Sequence, residues 1–435
     1  MQTHQVQGTI MKKLLFVILA IIIAAGFTGC NPTASAELVK SVKDRISTPS
    51  LNPGDMTTLV NGNSKFAFDL YQALRQQGNG NLFYSPYSLS LALAMTFAGA
   101  RGETETQMAD TLHYLLPQDS LHPAFNSLDL ELNERGEGAK GKDDKEFRLN
   151  VVNAIWGQKD YKFLSDYLDV IAENYGAGLR LLDFAGAPEE SRITINNWVS
   201  DQTEGKIKDL IKQGIISSIT RMVLTNAIYF NAAWQFPFDE DNTNEARFHL
   251  LNGSDITVQM MHHTEGFGYA DGDSFQAVEL KYDGGELSML ILLPEEDKFT
   301  GFEAALNSQK LDAIIGNLEM RNIILSMPKF DYESEFSLKD TLEALGMKDV
   351  FSMNADFSGM TGNFDLFIKD VVHKAFVSVD EAGTEAAAAS AVIMDLKAGP
   401  GSPVEVTIDR PFIYLIRDIE TGTVLFAGRI INPAQ

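Results

Sequence analysis

The side chains that most often carry out chemistry are sparse and scattered in this sequence. His262 and His263 are adjacent, but no cysteine or HExxH spacing accompanies them, so they do not make a recognisable metal-binding motif. Cys30 is the only cysteine, which excludes an internal disulfide bond and a multi-cysteine zinc site. The sequence also lacks a Gly-rich phosphate-binding loop and the nucleophile elbow of serine hydrolases. These observations favour a protein that uses no metal or other cofactor, and composition alone leaves a Ser-His-Asp enzyme open.

An alanine-rich segment near the C-terminus, residues 384–396, fits two different structures. Alanine is the best helix former, so propensity alone predicts a helix. The same segment fits a strand buried on one face, because every second residue from Thr384 to Met394 is small or apolar. No proline occurs from Glu381 to Gly399, so such a strand would lack no hydrogen-bond donor. The segment by itself leaves both interpretations open.

Composition and charge exclude several classes of protein. The chain has 435 residues, of which 45% are hydrophobic, so it is long and apolar enough to bury a sizeable core. Its 35 basic and 59 acidic residues give a formal net charge of −24 at pH 7. A surface this acidic repels phosphate backbones and anionic membrane surfaces. We therefore expect no nucleic-acid partner and no direct membrane binding by the folded surface.

The first thirty residues have the pattern of a targeting segment. Lys12 and Lys13 precede an apolar run over residues 14–27, shorter than the roughly 18–20 residues that span a bilayer. Cys30 follows Gly29, which resembles the lipobox of prokaryotic lipoproteins, although Phe27 stands where that motif usually has leucine. The resemblance implies acylation of Cys30 after removal of the segment before it. Secretion with cleavage nearby and an uncleaved anchor are the alternatives.

These features predict how the N-terminal region is organised. We expect a signal peptide over residues 1–29, with Met11 as an alternative start. Residues 30–60 include a small, polar stretch over 31–36 and two prolines and a glycine over 47–55, which is typical of a tether. The expected location is extracytoplasmic, either secreted or held by lipid on the outer face of the cell membrane.

Hydrophobic periodicity predicts helices mainly in the first half of the chain and strands mainly in the second. Helices are expected over residues 64–77, 88–98, 103–115, 164–175 and 192–201. Strands are expected over residues 147–156, 221–230, 275–282, 287–293, 322–330, 365–379, 413–417 and 424–429. This segregation favours an α+β fold over repeating βαβ units.

A set of separated motifs resembles the serpins, which are serine protease inhibitors that act as suicide substrates. The motifs follow the family's order over residues 64–433: NLFYSPYS (81–88), NWV (197–199), TEGKI (203–207), LTNAIYF (224–230), VQMM (258–261), MPKF (327–330), DRPFIYLI (409–416) and GTVLFAGR (422–429). The resemblance implies one domain over residues 61–435, with three β-sheets, eight or nine helices and an exposed reactive-centre loop. It also implies a monomer.

The resemblance assigns the alanine-rich segment to the hinge of the reactive-centre loop. Its implied hinge residues are Glu381, Gly383, Thr384, Ala386, Ala388 and Ser390. In inhibitory relatives the scissile residue lies 16 positions after the hinge glutamate, which gives the bond Lys397–Ala398. A cationic side chain at this place suits the anionic specificity pocket of trypsin-like proteases. A register shifted by one residue would give Leu396 and a preference for chymotrypsin-like enzymes.

The resemblance also implies a set of residues that gate the main sheet. Ser85, Ser88, Asn226 and His373 match the polar cluster called the shutter, which lies beneath the strands that separate. Trp234 matches the tryptophan of the breach, where loop insertion begins. The plainer interpretations are a core tryptophan, a turn serine before Pro86 and a satisfied buried histidine.

The expected function is inhibition of a serine protease through a covalent complex. The protease would attack the scissile bond, and insertion of the severed loop into the main sheet would trap the acyl-enzyme. The alternative is a non-inhibitory serpin that acts as a binding or chaperone module. Non-inhibitory members tend to have bulky, charged or proline residues in the hinge, whereas this hinge has four alanines over residues 386–389.

Overall fold

The computed structural model describes residues 36–141, 143, 145–384 and 402–434. Helices and strands in these residues form a mixed α+β fold, which confirms the predicted fold class. The α-helices are α1 (Asp55–Leu74), α2 (Pro86–Phe97), α3 (Gly102–Leu112), α4 (Gln118–Asn133), α5 (Ser165–Tyr175), α6 (Pro188–Gln202), α7 (Phe299–Ala304), α8 (Ser308–Gly316), α9 (Lys339–Leu345) and α10 (Ser358–Thr361). The strands are β1 (Glu37–Val39), β2 (Leu82–Tyr84), β3 (Arg148–Gln158), β4 (Leu179–Leu182), β5 (Met222–Ala233), β6 (Asn244–His249), β7 (Asp255–Gly272), β8 (Phe275–Lys281), β9 (Leu287–Pro294), β10 (Glu319–Pro328), β11 (Phe330–Ser337), β12 (Ile368–Val379), β13 (Gly383–Thr384), β14 (Val404–Thr407), β15 (Phe412–Asp418) and β16 (Val424–Ile430).

A seven-stranded sheet, which we call the main sheet, has the strand order β1-β4-β3-β5-β13-β12-β11. Its two central strands, β5 and β12, run parallel and pair directly from Met222 with Ile368 to Ile228 with Ala375. Beyond this region, the two residues of β13 lie between them and pair antiparallel with both. At one end of the main sheet β5 and β12 therefore pair directly with each other, and at the other end the short strand β13 lies between them.

A second sheet contains nine strands in the order β14-β10-β7-β8-β9-β15-β16-β2, with β6 also paired to β7. The 18-residue strand β7 pairs with β10 over Met260–Tyr269 and with β8 over Gly268–Gly272. This long strand joins two groups of strands into one hydrogen-bonded sheet, so the three implied sheets appear here as two. In the described residues the ten α-helices exceed the eight or nine implied, and α10 has only four residues.

The centre of the main sheet is buried on both faces. β5 has the sequence MVLTNAIYFNAA, in which every residue except the last is buried. A strand covered on both faces has such a nearly continuous apolar sequence, because neither face meets water. One face packs on the main core, while α6 covers the other through Ile195 and Val199, which join Trp156 and Val223 in a second apolar cluster.

Helix α2 lies beneath the main sheet with all twelve of its residues buried. Ser85 is its N-cap, since its side chain accepts a hydrogen bond from the N–H of Ser88, and Pro86 occupies the first turn. The Ser85 hydroxyl donates to the carbonyl of Leu425 in β16 at 2.7 Å. These contacts hold the start of α2 between the two sheets.

Part of the segment predicted as a tether packs on the domain. β1, within residues 30–60, pairs antiparallel with β4 and forms one edge of the main sheet. α1 begins at Asp55, also inside the predicted tether. In the described residues no helix is both long and apolar enough to cross a membrane.

Candidate functional site

The predicted hinge begins directly after β12, and its first residue is anchored in the protein. The buried Glu381 carboxylate accepts hydrogen bonds from Lys329 Nζ and Thr243 Oγ1, both at 2.6 Å. Its carbonyl accepts from the N–H of Phe238 at 2.8 Å. Burial alone would raise the pKa of this carboxyl, but the hydrogen bonds from Lys329 and Thr243 lower it below its usual value. Glu381 is therefore a charged anchor for the start of the hinge.

The next part of the hinge lies inside the main sheet. Gly383 and Thr384 pair with Ala233 and Ala232 of β5, and Thr384 also pairs with Val379 of β12. A Cβ on Gly383 would lie 2.2 Å from the carbonyl oxygen of Ala232, and its φ is +155°, so the position requires glycine. Gly383 and Thr384 thus form a short strand between β5 and β12.

The Thr384 side chain is held in the core by a second hydroxyl group. Thr384 is 1% exposed, and its hydroxyl lies 2.8 Å from the hydroxyl of Tyr282. The Tyr282 ring stacks on the Trp234 indole, with centroids 4.7 Å apart and planes 10° apart. Burial raises the pKa of Tyr282, so its hydroxyl stays protonated and can donate.

Trp234, predicted at the breach, lies against the hinge backbone. Its indole N–H donates to the carbonyl of Asp380, and its backbone N–H donates to the carbonyl of Ala382, both at 2.9 Å. It is also 2% exposed, so the core interpretation and the hinge interpretation both apply to this side chain. The structure brings Trp234, Tyr282 and the hinge together where β13 enters the main sheet.

The four predicted shutter residues form one buried hydrogen-bond network. His373 of β12 and Asn226 of β5 are direct partners in the parallel ladder, and His373 Nδ1 bonds to the side-chain oxygen of Asn226. The backbone N–H of Ser85 donates to His373 Nε2 at 3.2 Å, so Nδ1 carries the proton. The Asn226 amide donates to the hydroxyl of Ser88 and to the side-chain oxygen of Asn153.

This network joins the two strands that must separate to admit another strand. Opening the ladder between β5 and β12 breaks the bond between His373 and Asn226 directly. Burial lowers the pKa of His373 to about 3, with a smaller opposing effect from Asn226, so the ring is neutral near pH 7. A neutral imidazole can accept from Ser85 and donate to Asn226 at once, which a charged ring cannot do.

Four residues of the site were missed by the sequence patterns: Asn153, Thr243, Tyr282 and Lys329. Lys329 lies within the MPKF motif, and Tyr282 ends a predicted strand, but neither pattern points to a hinge contact. Each lies more than 50 residues from its partner in the chain, and only the fold brings them together.

Several predicted residues cannot be placed. Cys30, the hinge residues Ala386, Ala388 and Ser390, and the candidate scissile residues 396–398 lie outside the described part of the chain. The two adjacent histidines are described, and they point to different neighbours. His262 bonds to the hydroxyl of Ser326 at 2.8 Å, whereas the His263 ring lies 5.4 Å from the ring of Phe238.

The fold and this hinge define a class of protein, and comparison with known proteins gives the same class. The model of the family described as Serpin (serine protease inhibitor) matches residues 61–433. The chain therefore belongs to the serpin family, which is a family of protease inhibitors and not of enzymes.

Individual relatives show the range of this similarity. An uncharacterised serpin-like protein of Thermococcus kodakarensis is 42% identical over 386 residues, which cover 88% of each chain. The human leukocyte elastase inhibitor is 40% identical over 390 residues, covering 87% of this chain and all of the inhibitor. The solved structure of human thyroxine-binding globulin complexed with thyroxine matches with a TM-score of 0.78 and 30% identity, covering 87% of this chain and 99% of the globulin.

Proposed function

We propose that this serpin is a suicide-substrate inhibitor of trypsin-like serine proteases. The observation that carries the proposal is the position of Gly383 and Thr384 between β5 and β12. A loop that is to become a strand of the main sheet needs an open entry and a matching register at that entry. Both are present, which supports inhibition over a purely binding role.

The register of β13 predicts where the rest of the loop would go after cleavage. Thr384 is paired with Ala232 on one side and with Val379 on the other. Six residues further on, the same antiparallel register sets Ser390 opposite Asn226 and His373. Residues alternate between the two faces of a strand, so the even-numbered residues of the loop would follow Thr384 towards the core. We expect Ser390 to replace the bond between Asn226 and His373 when the strands separate.

The proposed reaction uses the catalytic groups of the protease. The protease serine attacks the carbonyl carbon of Lys397, an ester bond forms, and the amine of Ala398 leaves with a proton supplied by the protease histidine. Insertion of the severed loop then competes with hydrolysis of the ester by water. Complex accumulates only where insertion is faster, so the ease of opening the main sheet decides between inhibitor and substrate.

Incubation of the full chain with trypsin, chymotrypsin and an elastase tests this proposal. We expect a complex with trypsin that survives denaturing electrophoresis, and a released peptide whose mass shows that it begins at Ala398. Lys397→Leu should move the preference towards chymotrypsin without abolishing complex formation. A peptide that begins at Lys397 would show that Leu396 is the scissile residue. Complete cleavage of the loop without any complex, by all three proteases, would reject inhibition.

We also propose that lipid on Cys30 holds the protein on the outer face of the cell membrane. The apolar run, Gly29 and the short polar stretch that follows Cys30 support this location. The folded domain would then meet proteases outside the cytoplasm, as a monomer joined to the membrane only through its lipid.

A further inference from the structure

Residues 36–46, which we call the N-terminal strap, lie before the part of the chain that matches the serpin family model. They follow the outer edge of the main sheet and then cross two helices. β1 pairs antiparallel with β4, with Glu37 opposite Leu181 and Val39 opposite Leu179. The backbone fits closely here, because a Cβ on Gly178 would lie 2.8 Å from the carbonyl oxygen of Val39.

The end of the strap is fixed to α4 by partly buried polar contacts. Arg45 Nε donates to the side-chain oxygen of Asn126, and its Nη2 contacts an Asp129 carboxylate oxygen, both at 2.7 Å. The Asn126 side-chain amide donates to the carbonyl of Ile46 at 2.7 Å. Asn126 is fully buried, so without the strap its amide would lose its partners in Arg45 and Ile46. A buried amide that loses partners is destabilising, which means the surface of α4 is built to hold this segment.

The middle and the end of the strap also contact α5. Lys43 Nζ lies 3.1 Å from a carboxylate oxygen of Asp169 and 3.0 Å from one of Glu173. The N–H of Ile46 donates to the Glu173 carbonyl at 2.8 Å. Only residues 176–178 separate α5 from β4, so the helix and the strand form one local unit.

The strap therefore joins two parts of the protein that loop insertion would displace relative to each other. A new strand between β5 and β12 leaves β1, β4, β3 and β5 together on one side of the gap. Helix α4 packs on α5 and also on α1, and α1 contacts β16 of the second sheet, which would gain no strand. We expect β4 and α5 to shift relative to α1 as the gap opens, so the contacts of Arg45 with α4 add to the packing that resists this shift.

We propose that the surface formed by β4, α4 and α5 binds the N-terminal strap as a brake on opening of the main sheet. The strap keeps the uncleaved protein from inserting its own loop, and its ionic contacts must break before insertion is complete. The effect of the brake on inhibition rests on the proposed inhibitory function. Attachment of the strap to this surface does not, and it can be measured without any protease.

The test compares the full chain with Arg45→Ala, with Arg45→Lys as the conservative variant and Lys162→Ala as a control. Lys162 is exposed and precedes α5, so its variant removes one positive charge outside the strap. Hydrogen exchange is measured at the amides of β1 and β4. We expect at least tenfold faster exchange there in Arg45→Ala, a smaller change in Arg45→Lys, and no change in Lys162→Ala. Unchanged exchange in Arg45→Ala would overturn attachment through Arg45.

A second measurement tests the brake itself. The uncleaved proteins are held at moderately raised temperature, and the rate at which they lose the capacity to form a protease complex is followed. We expect severalfold faster loss in Arg45→Ala. About 1 M salt should accelerate the loss in the wild type more than in the variant, because salt screens ionic contacts. Equal rates despite faster β4 exchange would reject the brake, whereas a wild type that forms no complex at all would reject the proposed function instead.

Discussion

At the scale of single residues, the predicted hinge is held by side chains that are buried in the uncleaved protein. Thr384 shares a hydrogen bond with Tyr282, and Glu381 is bound by Lys329 and Thr243. A buried polar group is stable only while it has a partner, so each contact can be tested by removing one atom or adding one charge.

We predict that Thr384→Arg converts the inhibitor into an ordinary substrate. The Thr384 side chain faces the core, and an unpaired guanidinium there would cost several kcal/mol. A penalty of about 3 kcal/mol in the transition state slows a step by roughly two orders of magnitude. The ratio of cleaved to complexed protein after incubation with trypsin measures the effect.

Glu385→Arg is the matched control for this change, because adjacent residues of a strand point to opposite faces. Cleavage at Lys397 should persist in the wild type and in both variants, and complex should disappear only in Thr384→Arg. Equal yields of complex would show that the loop does not insert through this hinge.

We predict that Tyr282→Phe releases the hinge from the sheet. The variant leaves the buried Thr384 hydroxyl without its partner, which costs about 1–3 kcal/mol. The hinge should leave the space beside Trp234 and change the tryptophan fluorescence of the uncleaved protein. After trypsin is added, a larger fraction should be cleaved without forming a complex, because Gly383 and Thr384 must then enter the sheet before the rest of the loop can follow.

Thr384→Ser and Thr384→Val provide the comparison for Tyr282→Phe. Thr384→Ser keeps the hydroxyl and should behave like the wild type. Thr384→Val should resemble Tyr282→Phe, and combining these two changes should add little to either alone. Independent, fully additive effects would show that the hydroxyl pair does not position the hinge.

At the scale of elements, the network of the predicted shutter residues connects α2 to β5 and β12, the two strands that the proposed loop insertion would separate. Ser85 caps α2 and donates to His373 of β12, while Ser88 accepts from Asn226 of β5. One network therefore connects the helix N-terminus to both sides of the future gap. Protonation of His373 would remove the acceptor that Ser85 uses and add a buried charge.

We predict that the folded protein loses stability as the pH falls below about 6.5, partly through His373. The pKa of His373 is about 3 in the folded protein, below the value near 6.5 of an unfolded chain. Between these values only the unfolded chain binds the proton, so stability is present above pH 6.5 and is lost as the pH falls towards 3. The slope for one such group is about 1.4 kcal/mol per pH unit.

The denaturation midpoint of the wild type and of His373→Gln, measured from pH 7.5 to 4.5, checks this prediction. The variant should be less stable at pH 7.5 and should show a shallower dependence on pH. His122 is a second buried histidine, and burial also lowers its pKa to about 3, so a slope should remain in the variant. Identical slopes in the two proteins would assign the pH dependence to other groups.

At the scale of the whole molecule, the folded domain and the N-terminal targeting segment are joined by few residues. Only residues 31–35 lie between Cys30 and the first described residue, Ala36. Cys30, the candidate site of lipid attachment, therefore lies outside the described residues but close to them in the sequence.

We predict that Cys30→Ser abolishes lipid attachment and releases the domain from membranes. Thioether formation and acylation need the cysteine sulfur, and signal cleavage at this site should fail as well. Growth with a labelled fatty acid, followed by fractionation of membranes and soluble proteins, measures both effects. Absence of label on the wild-type protein would reject the lipoprotein hypothesis and leave secretion with cleavage nearby.

The family, the fold class and the positions of most central elements follow from sequence motifs and patterns. Hydrophobic periodicity predicts a strand over residues 221–230 and a helix over 88–98, and the structure has β5 at Met222–Ala233 and α2 at Pro86–Phe97. These elements are strongly patterned because they are buried over nearly their whole length, which restricts residue type at almost every position.

The contacts between residues that are distant in the sequence could be learned only from the tertiary structure. The three groups that hold Glu381, from Thr243, Lys329 and Phe238, come from separate segments and share no local pattern. Helix α4 was not predicted from the sequence. It contains Pro123, and a proline inside a helix is unfavourable, so the local pattern argues against a helix here.

The N-terminal strap differs most from the prediction for its segment. The surrounding segment, residues 30–60, was predicted as a tether from its small and polar residues and from two prolines over residues 47–55, which lie outside the strap. In the fold its backbone completes the edge of a sheet, and Arg45 meets the buried Asn126. Local composition cannot show such contacts, because the partner surface exists only after β4, α4 and α5 have packed together.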